Sequence, residues 1–268
     1  MIDLGSILFL MTEYWIYILL CLGAAFAGFI DAVVGGGGLV QVPLLFILCP
    51  QLTHVQVIAT NRFASVAGTS VAAIQYVRSI GIDTTLVLVA GISAAMSSFG
   101  GTFVMNLIEP HVFKPILLLV ISALTIYSFF KKDLGTEHTP RYEGNKFLVV
   151  AATLGLLLGF YNGFIGPGTG TLLVFAFVSI LGLNFLNASA SAKIINAMAD
   201  LASLIGFFLS KVIVFKLAVP MMVCNMAGGF IGSRAAILRG NRFVRYVFLL
   251  VLILLIARLS WDIFVLKK

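Results

Sequence analysis

The chain has 268 residues, of which 61% are hydrophobic and only 10% are Asp, Glu, Lys or Arg. A soluble domain carries about a quarter charged residues, so this composition excludes a single core folded in water. The net charge of +7 would suggest nucleic acid in a soluble chain; here it reads as basic loops facing an anionic cytoplasmic leaflet, and no nucleic-acid partner is expected.

A helix needs about 20 apolar residues to cross the hydrocarbon of a bilayer. The first candidate, 14–33, follows Asp3 and Glu13 with no basic side chain before it, so it reads as retained protein rather than a signal peptide. It runs into GFIDAVVGGGGLVQVP (28–43), where Asp31 precedes the run Gly35, Gly36, Gly37, Gly38. Further apolar segments follow at 39–50, 55–77, 85–107 and 112–130, then the hydrophilic stretch KKDLGTEHTPRYEGNK at 131–146. Beyond it come 147–165, 170–186, 190–209, 214–236 and 243–264, the first of them entering GFYNGFIGPGTGTLLV (159–174). None alternates polar and apolar residues as a membrane β-barrel strand does. The expected fold is an all-α polytopic membrane protein of about ten transmembrane helices, or eight with two re-entrant pairs, since 39–50 and 170–186 are short.

The two glycine-rich stretches are related. Gly28 and Gly159 stand 131 positions apart, and the same offset takes Asp31 to Asn162, Gly35 to Gly166, Gly37 to Gly168, Arg62 to Lys193 and Gly101 to Gly232. Such coincidences at one offset argue for duplication: a first repeat 1–130, a cytoplasmic linker 131–146 and a second repeat 147–268. Loop charge places the linker and the 239–245 loop on the cytoplasmic side and both termini outside. An odd number of crossings per repeat would invert the second, a common transporter plan.

Four glycines, or Gly166-Pro167-Gly168, cannot continue a membrane helix comfortably. Irregular backbone in lipid is tolerated only inside protein or against a polar cavity. Helices restarting near Leu39 and Thr171, with Thr169 and Gly170 beside the second break, would aim free N–H groups and positive dipole ends into one gap, a site for an anion. Gly155/Gly159 and Gly228/Gly232 read instead as close helix packing. Arg62 and Lys193 lie in apolar segments, ATNRFASVAGTS and ASAKIINAMADLAS. Snorkelling toward headgroups is one reading of such cations. The other is an oxyanion site, with Thr60, Asn61 and Ser65 beside the first and Ser189, Ser191 and Asn196 beside the second. Asp31 and Asp200 are the acidic counterparts, read as structural partners or as proton carriers.

Cys21, Cys49 and Cys224 have no CxxC spacing, and His54, His111 and His138 are scattered, so no metal or cofactor is expected. There is no GxxxxGK[ST] loop, HExxH or nucleophile–base pair, which argues against ATP drive and against an enzyme. The reading is therefore a secondary carrier of a small anion working by alternating access and coupled to a proton gradient through Asp31 or Asp200, with an anion channel or a non-transporting assembly partner as the alternatives. Sodium-coupled or uncoupled drive and the oligomeric state are not decided by the sequence.

The ordered set of GGGG, ATNRFAS, GPGTG and ASASAKIINAMADLAS, spread over both halves, resembles the TauE/SafE family of sulfite exporters. That resemblance implies a multi-spanning transporter of the cytoplasmic membrane, embedded in the lipid bilayer, for small sulfur-containing or organic anions such as sulfite, sulfoacetate or another sulfonate. It also implies that Gly35–Gly38 with Asn61, Arg62 and Ser65, and Gly166–Gly170 with Lys193 and Asn196, line the transport region. Where the first half has GGGG the second has GPGT, so the halves need not contact substrate equally.

Overall fold

The computed structural model describes residues 4–105, 135 and 137–264. Among them are eight α-helices. The predicted segment 112–130 and the start of the linker lie outside the described residues.

The first helix, α1 (Leu4–Val34), carries an apolar span at Tyr14–Val34 and ends at the four glycines. After two left-handed residues, Gly35 (φ 76°) and Gly36 (φ 90°), the chain restarts as the short α2 (Gly38–Leu48). Helix α3 (His54–Ser79) opens with a capping box. The Thr53 hydroxyl accepts the Gln56 N–H at 3.3 Å, and the Gln56 side chain accepts the Thr53 N–H at 3.0 Å. Asp83 caps α4 (Thr84–Val104) by accepting the Leu86 N–H.

Helix α5 (Gly144–Phe164) ends at the second break, where Gly166 (φ 88°) and Gly168 (φ 90°) flank Pro167. The short α6 (Thr169–Ala176) follows and passes into a π-helical turn at Phe177–Leu181. Helix α7 (Phe185–Leu209) begins five residues before the expected segment because Asn184 caps it there, accepting the Asn187 N–H at 2.8 Å. The predicted segments 214–236 and 243–264 are the two helical stretches of α8 (Phe215–Phe264), divided where expected by a non-helical residue at Gly240 (φ 71°, ψ −164°).

Six of these helices are long and apolar enough to cross a membrane; α2 and α6 are too short. Helix α1 lies along α8 and α4 along α5; α3 also packs on α8, α4 on α7, and α3 meets α7 at the centre. Close helix approaches fall where the sequence pattern suggested packing. A Cβ at Gly155 would collide with the Ala90 carbonyl, and one at Gly232 with the Phe29 carbonyl. The pattern of exposure is that of a protein solvated by lipid. Leu22, Phe26, Ile92, Met96, Leu157 and Ile231 face outward, while Asp31, Arg62, Asn162, Lys193 and Asp200 are buried.

Candidate functional site

The two breaks meet. A Cβ on Gly35 would run into the backbone of Gly170, one on Gly38 would stand 3.3 Å from Pro167 Cα, and one on Gly168 would stand 3.2 Å from the Leu39 side chain. Positive φ already restricts Gly35 and Gly168 to glycine; the contact between the breaks restricts Gly35 a second time.

Backbone groups freed by the breaks find partners inside the bundle, as a lipid environment requires. Tyr76 donates its hydroxyl to the Ala32 carbonyl at 2.9 Å, and Ser189 donates to the Val33 carbonyl. On the other side, Tyr161 donates to the Pro167 carbonyl at 2.8 Å and Thr169 to the Gly166 carbonyl at 2.7 Å.

Around this junction lie four charges from three helices. Lys193 on α7 donates to Asp31 Oδ2 on α1 at 2.8 Å. Thr69 on α3 donates to the same oxygen at 3.0 Å, and the Gly37 N–H donates to Asp31 Oδ1 at 3.2 Å. Arg62 on α3 pairs through Nη1 with Asp200 on α7 and with Asn162 Oδ1 on α5. Its Nη2 donates to the Asn162 carbonyl at 2.6 Å. Asn162 Nδ2 donates in turn to Asp200 at 3.0 Å and to Ser98 at 3.3 Å, and Asn196 Nδ2 donates to Asp200 at 2.9 Å. Arg62 and Lys193 are only 5% and 2% exposed. Their stems do not carry them to the bundle surface; both cations are held within the bundle by carboxylates.

Gly36, Gly38, Asn61, Arg62 and Ser65 line one wall of a small cavity, and Gly166, Pro167, Gly168, Thr169 and Gly170 another. Asp31, Thr69, Asn162, Asn196 and Asp200 complete it. Its volume is about 20 Å³, room for about one water. Several polar atoms here have no protein partner: Asn61 Oδ1, Arg62 Nε and Asn196 Oδ1 on the cavity, with Gln41 Nε2 and Thr171 Oγ1 nearby on α2 and α6.

Four expected site residues stand elsewhere. Gly35 is packed against Gly170, Gly37 gives its N–H to Asp31, and Lys193 reaches Asp31 from behind the cavity wall. Ser191 faces a second cavity of about 310 Å³ beside His138, Tyr142 and Glu143. The reason is helical: two residues from Lys193 is about 200° of rotation, whereas Asn196 and Asp200 return to the inner face. The site also contains Thr69 and Ser98, which the sequence reading did not single out. Thr69 carried a signal, since it stands 131 positions before Asp200.

These features define the class: an all-α polytopic membrane protein whose broken helices enclose a buried, charged, backbone-lined site. Residues 20–259 match the family described as sulfite exporter TauE/SafE, and the chain belongs to that family. A probable membrane transporter protein of Haemophilus influenzae is 31% identical over 245 residues, covering 91% of this chain and 94% of that one. The probable membrane transporter protein YfcA of Escherichia coli K12 is 28% identical, covering 89% of this chain and 87% of its own. The probable membrane transporter protein ORF9 of a Sinorhizobium species is 28% identical, covering 91% and 92%. No solved structure matches the chain. Family and fold together make this protein a polytopic membrane transporter of small anions.

Proposed function

We propose that the protein is a secondary carrier of a small sulfur-containing or organic anion, with sulfite, sulfoacetate or another sulfonate as the favoured class. It would work by alternating access across the cytoplasmic membrane, coupled to the proton gradient. The observation that carries this reading is the junction itself: two broken helices meet beside Arg62 and Lys193 within the bundle. A buried cation that reaches neither lipid nor water needs a functional or structural reason, and a guanidinium with a free Nε beside a helix start suits an oxyanion. In this role Gly36, Gly38, Asn61, Arg62, Ser65, Asn196 and residues 166–170 hold the substrate, and Asp31 or Asp200 carries the proton.

The cavity is too small for the proposed substrate. Space for about one water cannot hold a multi-atom oxyanion, so the bundle must rearrange to load it, as alternating access requires.

The packing also supports a duplicated plan, which an odd number of crossings per half would invert. Exchanging the halves takes the α1–α8 contact to α5–α4, the α3–α8 contact to α7–α4, and α3–α7 to itself. The same exchange takes the Lys193–Asp31 pair to Arg62–Asn162. Loop charge favours both termini on the non-cytoplasmic side in such a plan.

Uptake by purified protein in proteoliposomes tests the reading. Sulfite, sulfate, sulfoacetate, taurine and a simple carboxylate would be offered under imposed proton or sodium gradients. Saturable, proton-driven uptake of a sulfur oxyanion is expected; unsaturable flux would assign a channel, and no flux would remove the transport role.

A further inference from the structure

We infer that the transported anion replaces Asp200 on Arg62, and that Asp200 takes up a proton as it is displaced, so anion and proton occupy the cavity together. This rests on the carrier reading above and assigns the proton to one of its two carboxylates.

Asp31 and Asp200 both face the cavity but are held differently. Asp31 receives the backbone N–H of Gly37, Lys193 and Thr69. A backbone donor cannot swing away, and Asp31 sits on the positive end of α2, so it is the built-in anion of the first break. Asp200 is held through side chains alone, those of Arg62, Asn162 and Asn196, each of which can rotate. Two of those holders carry buried atoms without a hydrogen-bond partner, Arg62 Nε and Asn196 Oδ1, on residues that are 95% buried and line the cavity. Among the described residues no carboxylate accepts a hydrogen bond from the start of α6, which lines the same space. The second break also adjoins Arg62: a Cβ on Gly166 would strike its Nη2.

Charge balance supplies the proton. Arg62 and Lys193 are neutralised by Asp31 and Asp200, so a monoanion entering alone would leave the buried cluster one negative charge in excess. Displaced from Arg62 into a dry space, the Asp200 carboxylate is favoured in its neutral form. The proton comes from the solution on the loading side, rides on Asp200, and leaves when the anion departs and the carboxylate returns to Arg62. Asn196 serves both states: its Nδ2 donates to the carboxylate, and after a half-turn of the amide its free Oδ1 accepts the carboxyl proton. The charged groups around Asp200 are Arg62 on α3, Lys193 on α7 and Asp31 on α1; α4 and α5 contribute the neutral Ser98 and Asn162.

The test uses full-length protein in proteoliposomes with methanesulfonate and acetate as probes, the membrane potential being clamped by potassium and valinomycin. Wild-type uptake should follow an inward proton gradient and ignore a potential step of about 60 mV. Asp200→Asn should lose proton-driven accumulation and become potential-driven, about tenfold per 60 mV for one charge. Wild-type methanesulfonate binding in weakly buffered detergent solution should also draw about one proton per anion from the medium, a readout that needs no variant. Potential-driven wild-type uptake, proton-driven accumulation by Asp200→Asn, or binding without proton uptake would each overturn the assignment while leaving a carrier. Absence of any flux in folded protein would instead remove the carrier reading, and this inference with it.

Discussion

Lys193 donates to the Asp31 carboxylate at 2.8 Å although 162 positions separate them in the chain. The pair ties the first break to the central helix of the second half, because the same carboxylate accepts the first free N–H of the α2 start. Breaking a buried pair by removing one partner costs about 3–5 kcal/mol. We expect Asp31→Asn and Lys193→Met each to lower stability by that order, and the double variant to recover part of the loss. A double-mutant cycle on unfolding in mixed micelles checks it; additive losses would mean that the two groups do not act as a pair.

Arg62 makes a different demand. Its Nη1 and Nη2 are engaged and its Nε is free, so lysine keeps the charge but not the fork. Arg62→Lys should reduce anion uptake about ten- to hundredfold, the equivalent of one charge-assisted hydrogen bond of about 1.5–3 kcal/mol. Protein abundance should fall less. Uptake and abundance falling in parallel would make Arg62 a folding residue.

The contact between breaks gives a steric prediction. Gly35→Ala places a methyl in the Gly170 backbone and strains a left-handed residue, so the junction cannot close. Transport should be lost even where the protein still inserts and purifies as a folded monodisperse species. Normal uptake by Gly35→Ala would show that closure of this junction is not required.

Packing glycines should behave otherwise. A methyl at Gly155 meets the Ala90 carbonyl, whereas one at Gly100 meets no atom within 4 Å. Gly155→Ala should destabilise by about 1–3 kcal/mol through overpacking. Gly100→Ala should be neutral, or stabilise α4 by up to about 1 kcal/mol. Thermal unfolding of the two variants side by side measures the contrast.

Topology can be tested directly. Single cysteines placed at residues 139–143 and at either terminus, in a chain lacking Cys21, Cys49 and Cys224, should label from opposite sides of the membrane. Labelling from one side would exclude ten spans with both termini outside.

Much of this molecule was legible before any coordinates. The medium followed from composition, because 10% charge cannot cover a core in water. The breaks at 35–38 and 166–168 followed from local stereochemistry, since φ above zero and the loss of an N–H are properties of Gly and Pro wherever they stand. The end of α7 toward Asn184 was less legible, because its first residues resemble loop until the cap is seen. What the sequence left open was partnership. That Arg62 finds Asp200 while Lys193 finds Asp31, that Gly35 touches Gly170, and that the cavity beside them has a volume of only about 20 Å³ depend on how α3 and α7 cross between the outer pairs. A residue's neighbours a hundred positions away are set by helix packing, and only the assembled bundle reveals them.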